Sequence, residues 1–227
     1  MHIEAGVVQG TKMLLSYGTA MAVVGMGTKL AYENLKENGA LSLLLKSIVA
    51  TLLVFIFFEV FPHYPIGISE VHLILGTTLL LVFGVAPAMI GLALGLLIQG
   101  LTVAQFDLPQ YGINVTTLLA SMTLLHYATQ KIVPAGTAYK DISYTQMLKM
   151  SVIWEGSVVA WVAFWAFYGQ GVGAENIQNI FSFGSAYMLV VLVEPLIDLA
   201  ILSLVKAYYT SDSCNMLFDK RLTNCKA

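Results

Sequence analysis

The feature that most constrains this chain is an apolar run of 31 residues, Val71 to Leu101, without any Asp, Glu, Lys or Arg. As one helix the run would be about 46 Å long, whereas the hydrocarbon core of a bilayer is about 30 Å thick. Gly84 and Pro87 lie near its middle and offer a tight turn. The run is therefore predicted to form two helices, over 70–84 and 86–104.

Five further apolar stretches are long enough to cross a membrane, which takes about 20 residues. They are Met13–Ala31, Leu41–Phe61, Ile113–Ala128, Ser151–Phe167 and Phe183–Val205. Only 11% of the 227 residues are charged and 58% are hydrophobic, whereas soluble domains have about 25% charged residues. The chain is therefore predicted to be an all-α polytopic membrane protein with about seven transmembrane helices. The composition excludes a soluble enzyme and a nucleic-acid binder.

The distribution of Lys and Arg predicts the orientation, because basic residues accumulate in cytoplasmic loops. The segments 29–46 and 129–149 carry three lysines each, and the C-terminal tail is also basic. Three other connections contain neither Lys nor Arg: 62–72, 105–112 and 169–182. With seven spans all the basic segments fall on one side, which predicts an N-terminus outside and a cytoplasmic C-terminus.

One membrane domain is predicted over 1–207, followed by a short cytoplasmic tail over 208–227. The chain is too apolar to function outside a lipid bilayer, so we expect a multi-pass protein of the cell membrane. No strong basic patch is present, and no nucleic-acid partner is expected.

On this topology three of the four histidines, His2, His63 and His72, lie on the outer side, and His126 lies toward the inner end of its span. Neutral imidazole is the commonest metal ligand. The α-amine of Met1, with the backbone nitrogen and Nδ1 of His2, closes two fused chelate rings with three nitrogens in one plane. A further imidazole would complete a nitrogen-rich square, which favours Ni(II) or Cu(II). Acidic and amide side chains fall on the same side: Glu4, Ser69, Glu70, Asp107, Gln110 and Asn114.

Three motifs give the chain a resemblance to the CbiM/NikM family over residues 1 to about 200. They are Met1-His2-Ile3 followed by Gly6, then Gly67-Ile68-Ser69-Glu70-Val71-His72-Leu73, then Gly112-Ile113-Asn114. The resemblance implies that three residues hold the metal: Met1 through its amine, His2 through its nitrogens, and His72. It also implies that Ser69, Glu70 and Asn114 orient these ligands or shape the pocket. His63 has no clear counterpart in the family pattern and is interpreted as an accessory residue at the rim.

Members of this family are the substrate-binding membrane components of energy-coupling-factor cobalt and nickel transporters. The resemblance implies that the chain captures Ni(II) or Co(II) as a transported substrate and has no catalytic cofactor. Gly25 to Lys29 lacks the Gly-Lys-Ser/Thr ending of a phosphate-binding loop, so the chain is not expected to hydrolyse ATP itself. The resemblance implies a transport component and not an enzyme. The implied partners are ATPase subunits, a transmembrane coupling subunit and, in addition, a small auxiliary membrane protein.

Two alternative functions remain open at this point. Carboxylates within membrane spans are costly and are usually functional or internally paired. Glu155, Glu194 and Asp198 would be essential in a stand-alone ion channel or secondary transporter, or they are polar contacts within the bundle. A haem-binding membrane oxidoreductase would use histidines as axial ligands, but His72 and His126 lie on opposite sides. The sequence does not choose between nickel and cobalt, because both accept nitrogen donors.

Overall fold

The computed structural model describes residues 3–61, 63–208 and 217–222. This part of the chain forms seven α-helices: α1 (Met13–Asn38), α2 (Ala40–Glu59), α3 (Gly76–Phe83), α4 (Val85–Thr102), α5 (Tyr111–Ile132), α6 (Tyr144–Gln170) and α7 (Ala174–Tyr208). A two-stranded antiparallel hairpin, β1 (Tyr64–Ile66) and β2 (Ser69–Val71), lies between α2 and α3. Four short 3₁₀ turns complete it: Gly10–Lys12, Gln105–Gln110, Tyr139–Asp141 and Lys220–Leu222.

The lengths and the apolar character of these helices are those of an all-α membrane protein. In the described residues four helices, α2, α4, α6 and α7, are long and apolar enough to cross a membrane. Helices α1 and α5, with 26 and 22 residues, are long enough but less apolar. Helix α3 has eight residues and is therefore only about 12 Å long, too short to cross alone. The prediction of an all-α polytopic fold is confirmed, while the number of crossings, the orientation and the division at 207/208 stay predictions.

The long apolar run divides where the sequence predicted. Gly84, with φ of 86°, separates α3 from α4. The prediction that the first helix begins near residue 70 is wrong, because residues 70–71 belong to β2 and residues 72–75 have no regular structure. A short apolar segment reads alike as a buried strand or a buried helix. Here residues 69–71 form a strand because they pair with β1 and with the N-terminal segment.

Helix α3 lies in the centre of the bundle, and all eight of its residues are buried. Its first turn faces two fully buried carboxyl groups of α7. Glu194 lies at the backbone amide of Gly76, and the hydroxyl of Thr78 donates a hydrogen bond to Asp198. The amides at a helix N-terminus carry partial positive charge, which a carboxyl group stabilises. The hydrogen bond from Thr78 favours the bundle-contact interpretation of Asp198, while the buried carboxyl oxygens of Glu194 have no hydrogen-bond partner within the described residues.

Four segments meet at one end of the bundle, here called the hairpin end. They are the N-terminal segment 3–12, the hairpin 64–71, the start of α5 and the junction of α6 with α7. Ile3 forms an antiparallel bridge with Ser69, and Lys12 Nζ donates a hydrogen bond to the carbonyl oxygen of Gly169 at 2.9 Å. These are the segments that the sequence assigned to the outer side.

The basic segments meet at the opposite end. The backbone N–H of Asp219 donates to the carbonyl oxygen of Val82 at 2.7 Å. Lys220 Nζ donates to the carbonyl oxygen of Glu37, and the guanidinium of Arg221 lies 4.8 Å from the ring centroid of Tyr139. The two ends therefore separate the chain's connections in the way that the charge pattern predicts.

Candidate metal centre

His72 is the buried histidine of the hairpin end, with 1% of its surface exposed. Alternate residues of an extended chain share a face, which places Glu70 beside His72. The Nε2 atom of His72 lies 2.9 Å from Oε2 of Glu70. Because an ionised carboxylate only accepts hydrogen bonds, Nε2 of the neutral imidazole carries the hydrogen and Nδ1 carries the lone pair. This carboxylate–histidine pairing is the one that orients metal-binding imidazoles and raises their basicity.

Two aromatic rings contact the imidazole of His72. The buried ring of Phe58 meets it edge-on, with centroids 5.2 Å apart and planes at 86°. The exposed ring of His63 stacks on it, with centroids 5.0 Å apart and planes at 17°. The sequence placed His63 on the same side but gave no sign of the stack. Phe58 was not predicted, because in the apolar run of α2 it looks like any lipid-facing residue.

The N-terminal segment is fixed against β2. The N–H of Ile3 donates to Oδ1 of Asn114 at 3.1 Å, and the N–H of Glu4 donates to the carbonyl oxygen of Ile68 at 3.0 Å. Ile3 itself is 1% exposed. The predicted ligands Met1 and His2 lie outside the described residues. The chain that follows them is nevertheless held within the hairpin end by backbone pairing on one side and by α5 on the other.

Two glycines allow these segments to approach the helices closely. A Cβ atom at Gly169, near the end of α6, would overlap the carbonyl oxygen of Val7. A Cβ atom at Gly67, which turns the hairpin with φ of 65°, would overlap the carbonyl oxygen of Asn179 in α7. Any larger residue at either position would push backbone away from backbone. The N-terminal segment and the hairpin therefore dock on the α6–α7 junction through glycine.

The other predicted site residues lie in the same place. Glu70 contacts His72, Asn114 binds the backbone of Ile3, and the buried Ser69 forms the bridge with Ile3 through its backbone. The structure thus brings together every predicted site residue that it describes. Within the described ranges, no three His, Cys, Asp or Glu side chains are grouped to hold a metal ion. The role of the predicted site residues as ligands or as supports of the ligands stays a prediction.

A small polar pocket adjoins Asn114. Gln99, Asp107 and Asn114 line a void of about 10 Å³, room for at most about one water molecule. Oδ2 of Asp107, Oε1 of Gln110 and Nδ2 of Asn114 are buried and have no hydrogen-bond partner within the described residues. Burial, reinforced by the negative charge of Glu70, raises the pKa of Asp107 to about 7. The sequence put Asp107 and Gln110 on this face, but burial of these groups was not predictable from it.

A comparison with protein families identifies the chain. The family model described as the cobalt uptake substrate-specific transmembrane region, CbiM, matches residues 2–211. The chain belongs to the CbiM family. No curated protein and no solved structure gives a significant match. As a CbiM-family protein it is a multi-pass cell-membrane component of cobalt or nickel uptake. Members of the family are components of transporters and not enzymes.

In this CbiM-family protein, Asp107→Asn is expected to reduce the pH dependence of stability. A carboxyl group whose pKa rises from about 3.8 to about 7 on folding stabilises the folded state below pH 4. That contribution is lost as the pH rises toward 7, and asparagine has no proton to lose. Thermal unfolding of the metal-free protein in detergent at pH 4.5 and pH 7.5 tests this. The wild type should lose more stability than the variant over this interval, and equal losses would contradict the assignment.

Proposed function

We propose that the chain captures Ni(II) or Co(II) from outside the cell at the hairpin end. It acts as the substrate-binding subunit of an ATP-driven energy-coupling-factor importer. The metal is held by the amine of Met1, the backbone nitrogen and Nδ1 of His2, and Nδ1 of His72. Glu70 orients His72, while Ser69 and Asn114 hold the N-terminal segment in place.

The observation that carries this proposal is the fixed position and direction of Ile3. Its bridge with Ser69 is antiparallel, so a strand continued in that register would put residues 2 and 1 opposite Glu70 and Val71, next to His72. Consecutive Cα atoms are about 3.8 Å apart, which tethers the first two residues close to this point. A metal ion on the buried imidazole of His72 needs further donors, and in the proposed site these are the nitrogens of Met1 and His2.

The donor set suits the proposed substrates. Four nitrogens in one plane favour Ni(II) or Cu(II), and Co(II) also accepts nitrogen donors. The α-amine has a reference pKa of about 7.7–8.0, so a metal can displace its proton near neutral pH. Glu70 keeps the proton of His72 on Nε2 and leaves Nδ1 to the metal. Binding should therefore tighten as the pH rises through neutrality.

Energy for uptake comes from outside this chain in the proposed cycle. The sequence has no phosphate-binding loop, so separate ATPase subunits hydrolyse ATP and a transmembrane coupling subunit transmits the change. A small auxiliary membrane protein completes the set of partners. The metal is first captured with the N-terminus outside, and the loaded subunit then reorients within the complex.

Metal analysis of the purified chain tests the function. After incubation with Ni(II) or Co(II) and desalting, the wild type should retain about one ion per chain, and His2→Ala should retain almost none. His126→Ala is the matched control, because His126 lies in α5 and contacts Gln130 rather than the hairpin end. If His2→Ala retains as much metal as the wild type, the proposed ligand set is wrong.

A further inference from the structure

The stack of His63 on His72 has no place in the proposed ligand set. His63 follows α2, its ring is exposed, and its Nδ1 lies 3.2 Å from the carbonyl oxygen of Phe61. A carbonyl oxygen only accepts hydrogen bonds, so Nδ1 of the neutral ring donates and Nε2 carries the lone pair. His63 therefore presents a metal-binding nitrogen to solvent, on the ring that covers buried His72.

The surroundings of His72 indicate a path for an ion from solvent, past the exposed His63, to the buried His72. Phe58, which is fully buried, covers one part of the His72 ring, and the exposed His63 covers another at a centroid distance of 5.0 Å. An ion bound to an imidazole nitrogen lies roughly 2 Å from it. An ion on Nε2 of His63 would therefore lie within roughly 8 Å of the centre of the His72 ring. The acidic residues Glu4 and Glu70, at the same end, attract cations toward this rim.

We propose that His63 is a transfer ligand, which binds the incoming divalent metal ion first and passes it to the buried site at His72. This inference rests on the proposed metal site and adds the route by which the ion reaches it. His63 leaves the coordination sphere once the ion has moved, so it changes the rates of binding and release but not the final complex.

Stopped-flow binding of Ni(II) to the purified full chain in detergent separates this role from the others. For His63→Ala, the association and dissociation rate constants should fall by the same factor, at least about fivefold. Kd should stay within about twofold of the wild type, and the absorption spectrum of the bound metal should be unchanged. His63→Phe retains a ring on His72 without a donor nitrogen and should be as slow as His63→Ala.

Three results would overturn the proposal. Unchanged association and dissociation rate constants in His63→Ala would show that His63 takes no part in metal binding. A rise in Kd together with an altered metal spectrum would make it a permanent ligand. Wild-type rates in His63→Phe would show that the ring contact matters and the nitrogen does not. If the unaltered protein binds no Ni(II), the proposed function fails and this inference with it, whereas normal wild-type binding confines any failure to His63.

Discussion

His72→Ala is expected to weaken the binding of Ni(II) or Co(II) by at least about 100-fold, or roughly 2.7 kcal/mol. The change removes the imidazole that Glu70 orients, and no other histidine in the described residues occupies that position. It also leaves a cavity beside Phe58, which lowers stability by an amount that thermal unfolding measures separately. Equilibrium dialysis of the purified protein against a range of metal concentrations gives the change in Kd.

Two further variants show whether the loss of affinity in His72→Ala is due to the loss of a metal ligand. Glu70→Gln retains the imidazole but replaces a charged acceptor, and loss of such a partner costs about 10- to 100-fold in metal affinity. His126→Ala, at the other end of α5, should bind like the wild type. A folded His72→Ala protein with wild-type affinity would show that the metal is held elsewhere.

Gly169→Val is expected to weaken metal binding by at least about tenfold, although Gly169 is not a ligand. Its Cβ atom would overlap the carbonyl oxygen of Val7, which moves the N-terminal segment away from the end of α6. The hydrogen bond from Lys12 to the Gly169 carbonyl oxygen would be disturbed as well. Since that segment places Ile3 against Ser69, its displacement would move the proposed ligands Met1 and His2 away from the proposed site at His72.

Gly156→Val is the matched control for this effect. Gly156 lies on the same helix, and an added Cβ there meets nothing within 4 Å. Both variants should retain the helical content of the wild type by circular dichroism, and only Gly169→Val should lose affinity by isothermal titration calorimetry. Equal affinities for the two variants would mean that docking of the N-terminal segment does not control the site.

The sequence predicts where the long helices of this fold lie, because an apolar run of about 20 residues favours a helix that can cross a bilayer. The eight-residue helix α3 does not follow this rule. The 31-residue run had to divide, and Gly84 is the residue at which it divides. The hairpin was not predictable in the same way. Its strands are only three residues long, and what makes β2 a strand is pairing with β1 and with Ile3, some 66 residues earlier in the chain.

The candidate site shows the same limit at the scale of side chains. The motif around His72 and the family resemblance indicate which residues gather at the hairpin end. The bond between Ile3 and Asn114 joins residues 111 positions apart, and no local pattern encodes it. The pairing of Glu70 with His72 follows from their spacing only once the segment is known to be extended. The stack of His63 on His72 depends on how the hairpin turns after α2.

In the proposed site, the N-terminal amine binds the metal together with His72. A variant with two glycines before Met1 tests it directly, because the amine is then an amide nitrogen and the new terminus is too far away. Two residues are used because a histidine third in the chain forms a nickel chelate of its own. Isothermal titration with Ni(II) should show loss of high-affinity binding, while two glycines added after Ala227 should have no effect. High-affinity binding by the N-terminally extended protein, equal to that of the native chain, would show that the amine of Met1 is not a ligand.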